Sequence, residues 1–368
     1  MRITSLKFAL PCVLAAWSVS VQGSTLFLGA YPDQVLVFDD AKGVIEKRIQ
    51  LSTGLPMSLS MSMDKKTIYA TTNDHDGVEV IDVATRKVIS HFVLDTATTK
   101  YRMYGATPDP TGRFLYCITT EIVKLPDHFE VGMPKYTVID VAAQKIAKTA
   151  EIEPEDLPGN TGFLGRFGEI STDGKYLYQF REKVAILDVA TLKVVERLDL
   201  AKPEDPSIRH LGYGEQLNTL SRPGYHVSLF NAADPYVHHS VFGIARFNLD
   251  TRGVDFTPIG PAVDEMSGLQ VAPDLKNAWT VATFGGELGN KHCEFWHFDL
   301  TTNKVMNKSE FPCRTNEFSN HVVVSGDGKR LYVYGNGFDI EVYDSSTLRH
   351  VETWDLNSDC TGPLVIVD

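Results

Sequence analysis

The side chains able to do chemistry are plentiful here, but their spacing assembles no reaction centre. His238 and His239 are adjacent, so in a strand they point to opposite faces and cannot easily share a metal. The stretch "NDHDG" (73–77) sets acidic side chains beside a glycine turn without the full ligand spacing of a calcium loop. "GNTGFLGRFG" (159–168) has the glycines of a phosphate cradle, yet no Lys-Ser/Thr follows and no helix lends its N-terminus. Within it Arg166 stands between Phe163 and Phe167, either an aromatic-flanked anchor for a partner or an ordinary loop cation. No G-x-S-x-G elbow or other nucleophile arrangement occurs. Accordingly, no catalytic residue and no metal ligand is assigned.

The elements that would position these residues are legible from a repeat. "VAILDVATLK" (184–193) has related text at 35–45, 78–89, 136–146, 243–254, 294–305 and 340–351. Each copy is an apolar, β-branched run leading into an Asp-based turn, followed by a returning strand. Counted from Asp39 through Asp82, Asp140, Asp188, Asp250, Asp299 and Asp344, the copies recur every 43 to 62 residues. Between them lies a second hairpin text, as in "GATPDPTGRFLYCIT" (105–119) and "VVVSGDGKRLYVYG" (323–336). Two hairpins per unit make four antiparallel strands, and units of this length are β-propeller blades. The expected fold is all-β, a seven-bladed propeller over 24–368. "TLFLGA" (25–30) supplies part of the first blade and "TGPLVIVD" (361–368) closes the ring against it.

Connections in a propeller alternate between two faces. The Asp turns share one face and are short. The other face collects the longer connections, including "TKYRMY" (99–104), "TEIVKLPDHFEVGMPK" (120–135), "TGFLGRFG" (161–168), "LFNAADPYVHHS" (229–240) and "TNEFSNH" (315–321), the last with Phe318 and His321. Insertions gathered on one face of a repeat protein build a binding surface. A propeller hydrolase or lactonase would instead need a metal held at the channel mouth. Asp264, Glu317 and His321 are its available contributors, and their spacing gives it no support.

Composition excludes other classes. Residues 1–23 read as a secretory signal peptide, with Arg2 and Lys7 before an apolar run and small residues ahead of Ser24, which implies export to the periplasm. No later stretch is long and apolar enough for a spanning helix. Without the signal segment the chain holds 33 Lys+Arg against 47 Asp+Glu, a net charge of −14, which disfavours nucleic acid as a partner. Cys293 and Cys313 flank one Asp-turn hairpin and are placed either to form a disulfide or to remain two buried thiols. No C-x-x-C-H is present, so this chain attaches no c-type haem.

"IYATTNDHDGVEVIDVATRKVI" (68–89) resembles the Y-V-T-N class of bacterial extracytoplasmic propellers. More narrowly, "YRMYGATPDPTGRFLY" with "LPDHFEVGMPKYTVIDV" (101–141), "SVFGIARFNLDT" (240–251) and "DIEVYDSSTLRHVETWDL" (339–356) resemble the β subunit of quinohemoprotein amine dehydrogenase. That resemblance implies a non-catalytic propeller in a periplasmic complex oxidising primary amines. It implies a small partner subunit bearing cysteine tryptophylquinone and another bearing c-type dihaem, with no cofactor in this chain. The propeller would dock the small subunit and help wall its substrate pocket, with Tyr101, Arg102, Tyr104, His128 and Phe129 on the partner face. The stretch 201–242 departs from the family pattern, which leaves its share in any pocket open. The alternative is a stand-alone extracytoplasmic propeller that binds a protein, peptide or wall component.

Overall fold

Runs such as Val184–Asp188 and Gly77–Asp82 are buried along nearly their whole length, as expected for strands covered on both faces. The computed structural model describes residues 23–73, 77–157, 167–180, 184–198, 209–213, 222–233, 240–266, 268–285, 291–313, 321–335 and 337–367. Regular structure there is antiparallel strand, apart from one 3-10 turn at Pro154–Asp156. The strands form six hydrogen-bonded sheets, and the seven-stranded one is two blades joined through its last strand, His350–Val367. That strand first borders Gly337–Asp344. Past Cys360 it pairs with Thr25–Ala30, placing Val367 opposite Thr25 and Leu364 opposite Leu28. Seven blades result, numbered here from the N-terminus, and the last segment of the chain completes the first.

Packing shows that the ring is closed. Seven core clusters occur among the described residues, and each is shared by two consecutive blades. Phe27 and Val37 of blade 1 meet Leu59 and Ile68 of blade 2. Tyr69 and Val80 meet Leu115 and Ile139 of blade 3, and Tyr136 and Val138 meet Leu177 and Leu187 of blade 4. Tyr178 and Ile186 then meet Phe230 and Phe247, Phe242 and Ile244 meet Trp296 and Phe298, and Trp279 and Phe295 meet Leu331 and Tyr343. The seventh cluster sets Tyr332 and Trp354 of blade 7 on Leu26 and Phe38 of blade 1. Each large side chain buried this way contributes about 1.5–3 kcal/mol. Polar pins cross the same interfaces. The Tyr69 hydroxyl donates to Gly112 O (2.8 Å), that of Tyr178 to Leu249 O (2.7 Å), and Trp279 Nε1 to Ser345 O (3.2 Å). Tyr332 donates to Asp40 Oδ2 (2.7 Å) across the closing interface.

The repeated turn has one geometry in all seven blades. Its leading side-chain oxygen, a carboxylate in six of them, accepts main-chain N–H groups two or three residues on, as Asp82 does from Thr85 (2.7 Å), Asp188 from Thr191 (2.7 Å) and Asp344 from Thr347 (2.7 Å). The residue four positions after it is left-handed: Gly43, Arg86, Gln144, Leu192, Arg252, Asn303 and Leu348 have φ between 53° and 66°. This geometry corrects one repeat position. In blade 5 the turn is led by Asn248, whose Oδ1 accepts from Asp250 N (3.1 Å) and Thr251 N (3.0 Å). The carboxylate of Asp250 instead crosses to Thr172, bonding its N–H (2.8 Å) and hydroxyl (2.9 Å). Asn satisfies the same donors, so the turn survives the exchange.

Two stretches expected as connections are strand. Residues 99–104 belong to the inner strand Thr99–Pro108, and 120–124 to its neighbour Phe114–Lys124, because the two pair with each other up to Thr99↔Val123.

Candidate functional site

Blade 3 carries the largest elaboration of the long-connection face among the described residues. Its third strand, Lys135–Asp140, pairs with Phe114–Lys124 only as far as Lys135↔Thr119. Beyond that point a short strand, Phe129–Val131, takes the vacated side, with Phe129↔Lys124, Glu130↔Val123 and Val131↔Ile122 in register. Leu125 N–H donates to His128 O (2.9 Å), closing the four-residue turn around Pro126 and Asp127. The result is a three-stranded ribbon that projects five residues past the blade, about 17 Å at strand rise. The β-branched Thr120, Ile122 and Val123 of "TEIVK" support it on one side and Gly132-Met133-Pro134 ends it on the other. Phe129, Val131 and Met133 are 61–65% exposed on this ribbon. Tyr31 and Phe338, in blades 1 and 7 on the same face, are exposed to a similar degree.

The residues implied for the partner face divide into three groups. Tyr101 leans with Met103 toward blade 2; its N–H donates to Asp95 Oδ1 (3.1 Å) and its hydroxyl to Glu121 Oε1 (3.5 Å). Burial, reinforced by the Glu121 charge, pushes this phenol pKa up. Tyr104 packs on the opposite side, toward blade 4, so Tyr101 and Tyr104 do not form one cluster. Arg102, His128 and Phe129 are exposed, with His128 Nδ1 2.8 Å from Asp127 Oδ1. Phe167 turns inward and meets Tyr136 edge-on at 6.1 Å, which makes it core more than anchor. His321 opens the inner strand of blade 7, its ring 5.5 Å from that of Tyr334. Phe163, Arg166, His238, His239 and Phe318 lie outside the described residues.

Two polar clusters, each holding a buried carboxylate, brace the connections of this face. Glu79, fully buried, accepts through Oε1 from the N–H groups of Ser52 (2.6 Å) and Thr53 (2.9 Å) and from both hydroxyls. This ties the segment between blades 1 and 2 to blade 2. Arg197 grips the 3-10 turn after blade 3, with Nε 3.0 Å and Nη2 2.7 Å from the carboxylate of buried Asp156. Sequence reasoning missed both, although a Glu inside the apolar "VEVID" and an Arg in an outer strand were visible signals.

A third pair went unseen as well. His226 Nδ1 is 2.7 Å from Glu169 Oε1, and its ring stacks on Phe180 at 3.8 Å between blades 4 and 5. Glu169 borders a small cleft of about 60 Å³ shared with Ser60, Thr107 and Gly168, too small for an organic substrate. Among the described residues no group of three or more His, Cys, Asp or Glu is placed to hold a metal, and no helix is long and apolar enough to cross a membrane. Asp264 is used locally, its Oδ2 accepting from Gly285 N–H (2.7 Å). Cys293 and Cys313 are joined by a disulfide, with Cα atoms 5.2 Å apart. Cys117 is a buried free thiol whose pKa burial pushes up.

No protein-family model matches the chain, and no curated protein matches it. Solved structures do. The chain is similar to hydrazine synthase of Kuenenia stuttgartiensis at 14% identity, covering 85% of this chain and 90% of that one, with a TM-score of 0.50. It is similar to the dihydro-heme d1 dehydrogenase NirN at 14% identity, covering 94% and 75%, with a TM-score of 0.52. The β-propeller domain of Cps50 (Swd1) from Myceliophteria thermophila matches at 13% identity over 85% and 90%, with a TM-score of 0.55. At these identities the likeness establishes the architecture alone, and the chain has the β-propeller fold.

Proposed function

We propose that this chain is a non-catalytic propeller subunit of a periplasmic amine dehydrogenase complex. In this reading residues 1–23 are a cleaved signal peptide and 24–368 the propeller. The long-connection face docks a small subunit bearing cysteine tryptophylquinone and helps wall the pocket where primary amines are oxidised. A c-type dihaem subunit carries the electrons away, and this chain contributes no cofactor.

The observation that carries the reading is the blade 3 ribbon, which exposes Phe129, Val131 and Met133 on the elaborated face. Exposed apolar groups gathered this way mark an interaction surface, because leaving them in water is unfavourable. The braces at Glu79 and Arg197 hold neighbouring connections in place, so docking costs little ordering entropy. The sequence resemblance supplies the partner chemistry. Support also comes from two similar propellers whose names, hydrazine synthase and dihydro-heme d1 dehydrogenase, are those of redox enzymes.

The test is purification of the tagged chain from its native source, with haem staining, mass analysis of copurifying chains and an amine-oxidation assay with an artificial electron acceptor. The expected result is a haem-stained complex that oxidises primary amines and contains a small subunit of anomalous mass from the quinone. A solitary, colourless and inactive protein overturns the reading and leaves the stand-alone propeller.

A further inference from the structure

Among the described residues the short strand Phe129–Val131 has an open edge: its ladder partner there is Phe114–Lys124 alone. Leu125 N–H bonds His128 O, and Gly132 N–H bonds Glu121 O (2.8 Å). In an antiparallel ladder, residues whose main chain bonds across alternate with residues whose main chain does not. His128, Glu130 and Gly132 therefore turn their main-chain groups toward the neighbouring strand, and Phe129 and Val131 turn theirs outward.

Proteins commonly guard such an edge with a charge, a proline or a cover. Pro126, Pro134 and the exposed Glu130 border this one, yet the two residues whose main chain faces outward, Phe129 and Val131, carry exposed apolar side chains. Cross-strand partners share a face, so Phe129 and Val131 lie with Lys124 and Ile122, and Ile122 in turn pairs with Lys100. Arg102, opposite Thr120, is on the same face. Lys100, Arg102 and Lys124 are all exposed, in a chain whose formal net charge is −12. One face of the ribbon is thus apolar at its open edge and basic behind it.

We propose that an extended segment of a partner polypeptide adds to this edge as a further strand, its every-second side chains, which share the Phe129 face, including both apolar and acidic ones. Its main chain bonds the outward groups of Phe129 and Val131. Its apolar side chains on that face cover Phe129, Val131 and Met133, and its acidic ones meet Lys124, with Arg102 and Lys100, the latter 3.8 Å from Asp95, adding positive field from across the ribbon. Strand addition suits this edge because main-chain bonds supply affinity while the face selects the side chains. The inference rests on the docking reading above and specifies its contact.

The experiment compares the tagged full-length chain, alone and in the complex recovered from its native source, by hydrogen–deuterium exchange over 122–133. It adds Val131→Pro, which deletes the outward N–H, and Val131→Thr, which keeps it. Equal urea midpoints for the isolated variants establish that both fold. The expected result is exchange at Phe129 and Val131 slowed at least tenfold in the complex. Recovery of partner falls roughly tenfold for Val131→Pro, the scale of a lost hydrogen bond with its steric block, and stays near wild type for Val131→Thr. Unchanged exchange, or full recovery with Val131→Pro, overturns strand addition while the docking reading stands. Failure of the wild-type chain to recover any partner overturns the docking reading and this inference with it.

Discussion

Tyr332→Phe is the sharpest probe of ring closure, because it removes one oxygen from the interface between the last blade and the first. The Tyr332 ring is fully buried, and its hydroxyl donates at 2.7 Å to Asp40, itself 6% exposed. Phenylalanine keeps the packing against Trp354 and Phe38 and deletes the donor. A hydrogen bond to a charged acceptor is worth about 1.5–3 kcal/mol net, so the variant should lose about 2 kcal/mol at pH 7. The pH dependence has a definite sign. Burial raises the Asp40 pKa above its ordinary 3.8, with the Tyr332 bond opposing the rise. A carboxyl with a raised folded pKa favours folding when protonated, a contribution present below 3.8 and lost as pH climbs through the folded value. Removing the Tyr332 donor lifts that folded value further, so the penalty grows with pH. Below pH 3.8, where Asp40 is protonated in both states, the penalty should shrink to about 1 kcal/mol, the worth of a neutral bond. Urea unfolding at pH 7 and pH 3.5 measures both numbers, and an Asp40→Asn background should reduce the pH 7 penalty toward the acid one. A pH 7 loss below about 0.5 kcal/mol, or a loss that increases toward acid, refutes the reasoning.

Four further outcomes follow from the same geometry. Arg197→Met leaves the buried Asp156 carboxylate without its cation and should cost about 2 kcal/mol, below the usual range for a fully buried pair because Arg197 is a quarter exposed; urea midpoints measure it. Cys313→Ser opens a bridge that closes a sequence separation of 20 residues and should cost about 3 kcal/mol, with dithiothreitol reproducing the loss in the wild type and having no effect on the variant. Gly43→Ala places a Cβ 2.9 Å from Trp354 Nε1 at a φ of +66° and should cost about 2 kcal/mol. Gln144→Ala, at the equivalent turn position with φ 55°, should change stability by less than about 0.5 kcal/mol, since an L-residue already occupies it.

The blade count was legible because each copy needs the same turn, and a turn led by Asp with Thr three residues on has a recognisable text. It misled at Asp250, where Asn248 does the same work two residues earlier and the nearby Asp drew the eye. The ribbon was harder to see. "TKYRMY" is aromatic and basic, and the short strand Phe129–Val131 lies between Pro126 and Pro134, so the stretch looks like loop. Only the pairing of Thr99–Pro108 with Phe114–Lys124 extends it into strand, and that pairing is a tertiary fact. The cysteine pairing stood open for a related reason. Cys293 faces Phe311 in the ladder and Cys313 lies two residues beyond, an offset set by the bulge between His297 and Phe298 that spacing alone does not reveal. Glu79, Arg197 and the His226–Glu169 pair escaped notice because one polar residue in a strand text carries no sign of which neighbouring blade it meets.

The most direct measurement is lysine cross-linking of the natively purified complex, read residue by residue. Both faces carry exposed lysines: Lys100, Lys124 and Lys291 on the long-connection face, and Lys42, Lys66, Lys175, Lys276 and Lys329 on the Asp-turn face. Docking through the long-connection face predicts cross-links from the small subunit to Lys100 and Lys124, with the Asp-turn lysines modified but unlinked. Cross-links concentrated on the Asp-turn lysines, or spread evenly over both sets, contradict the account.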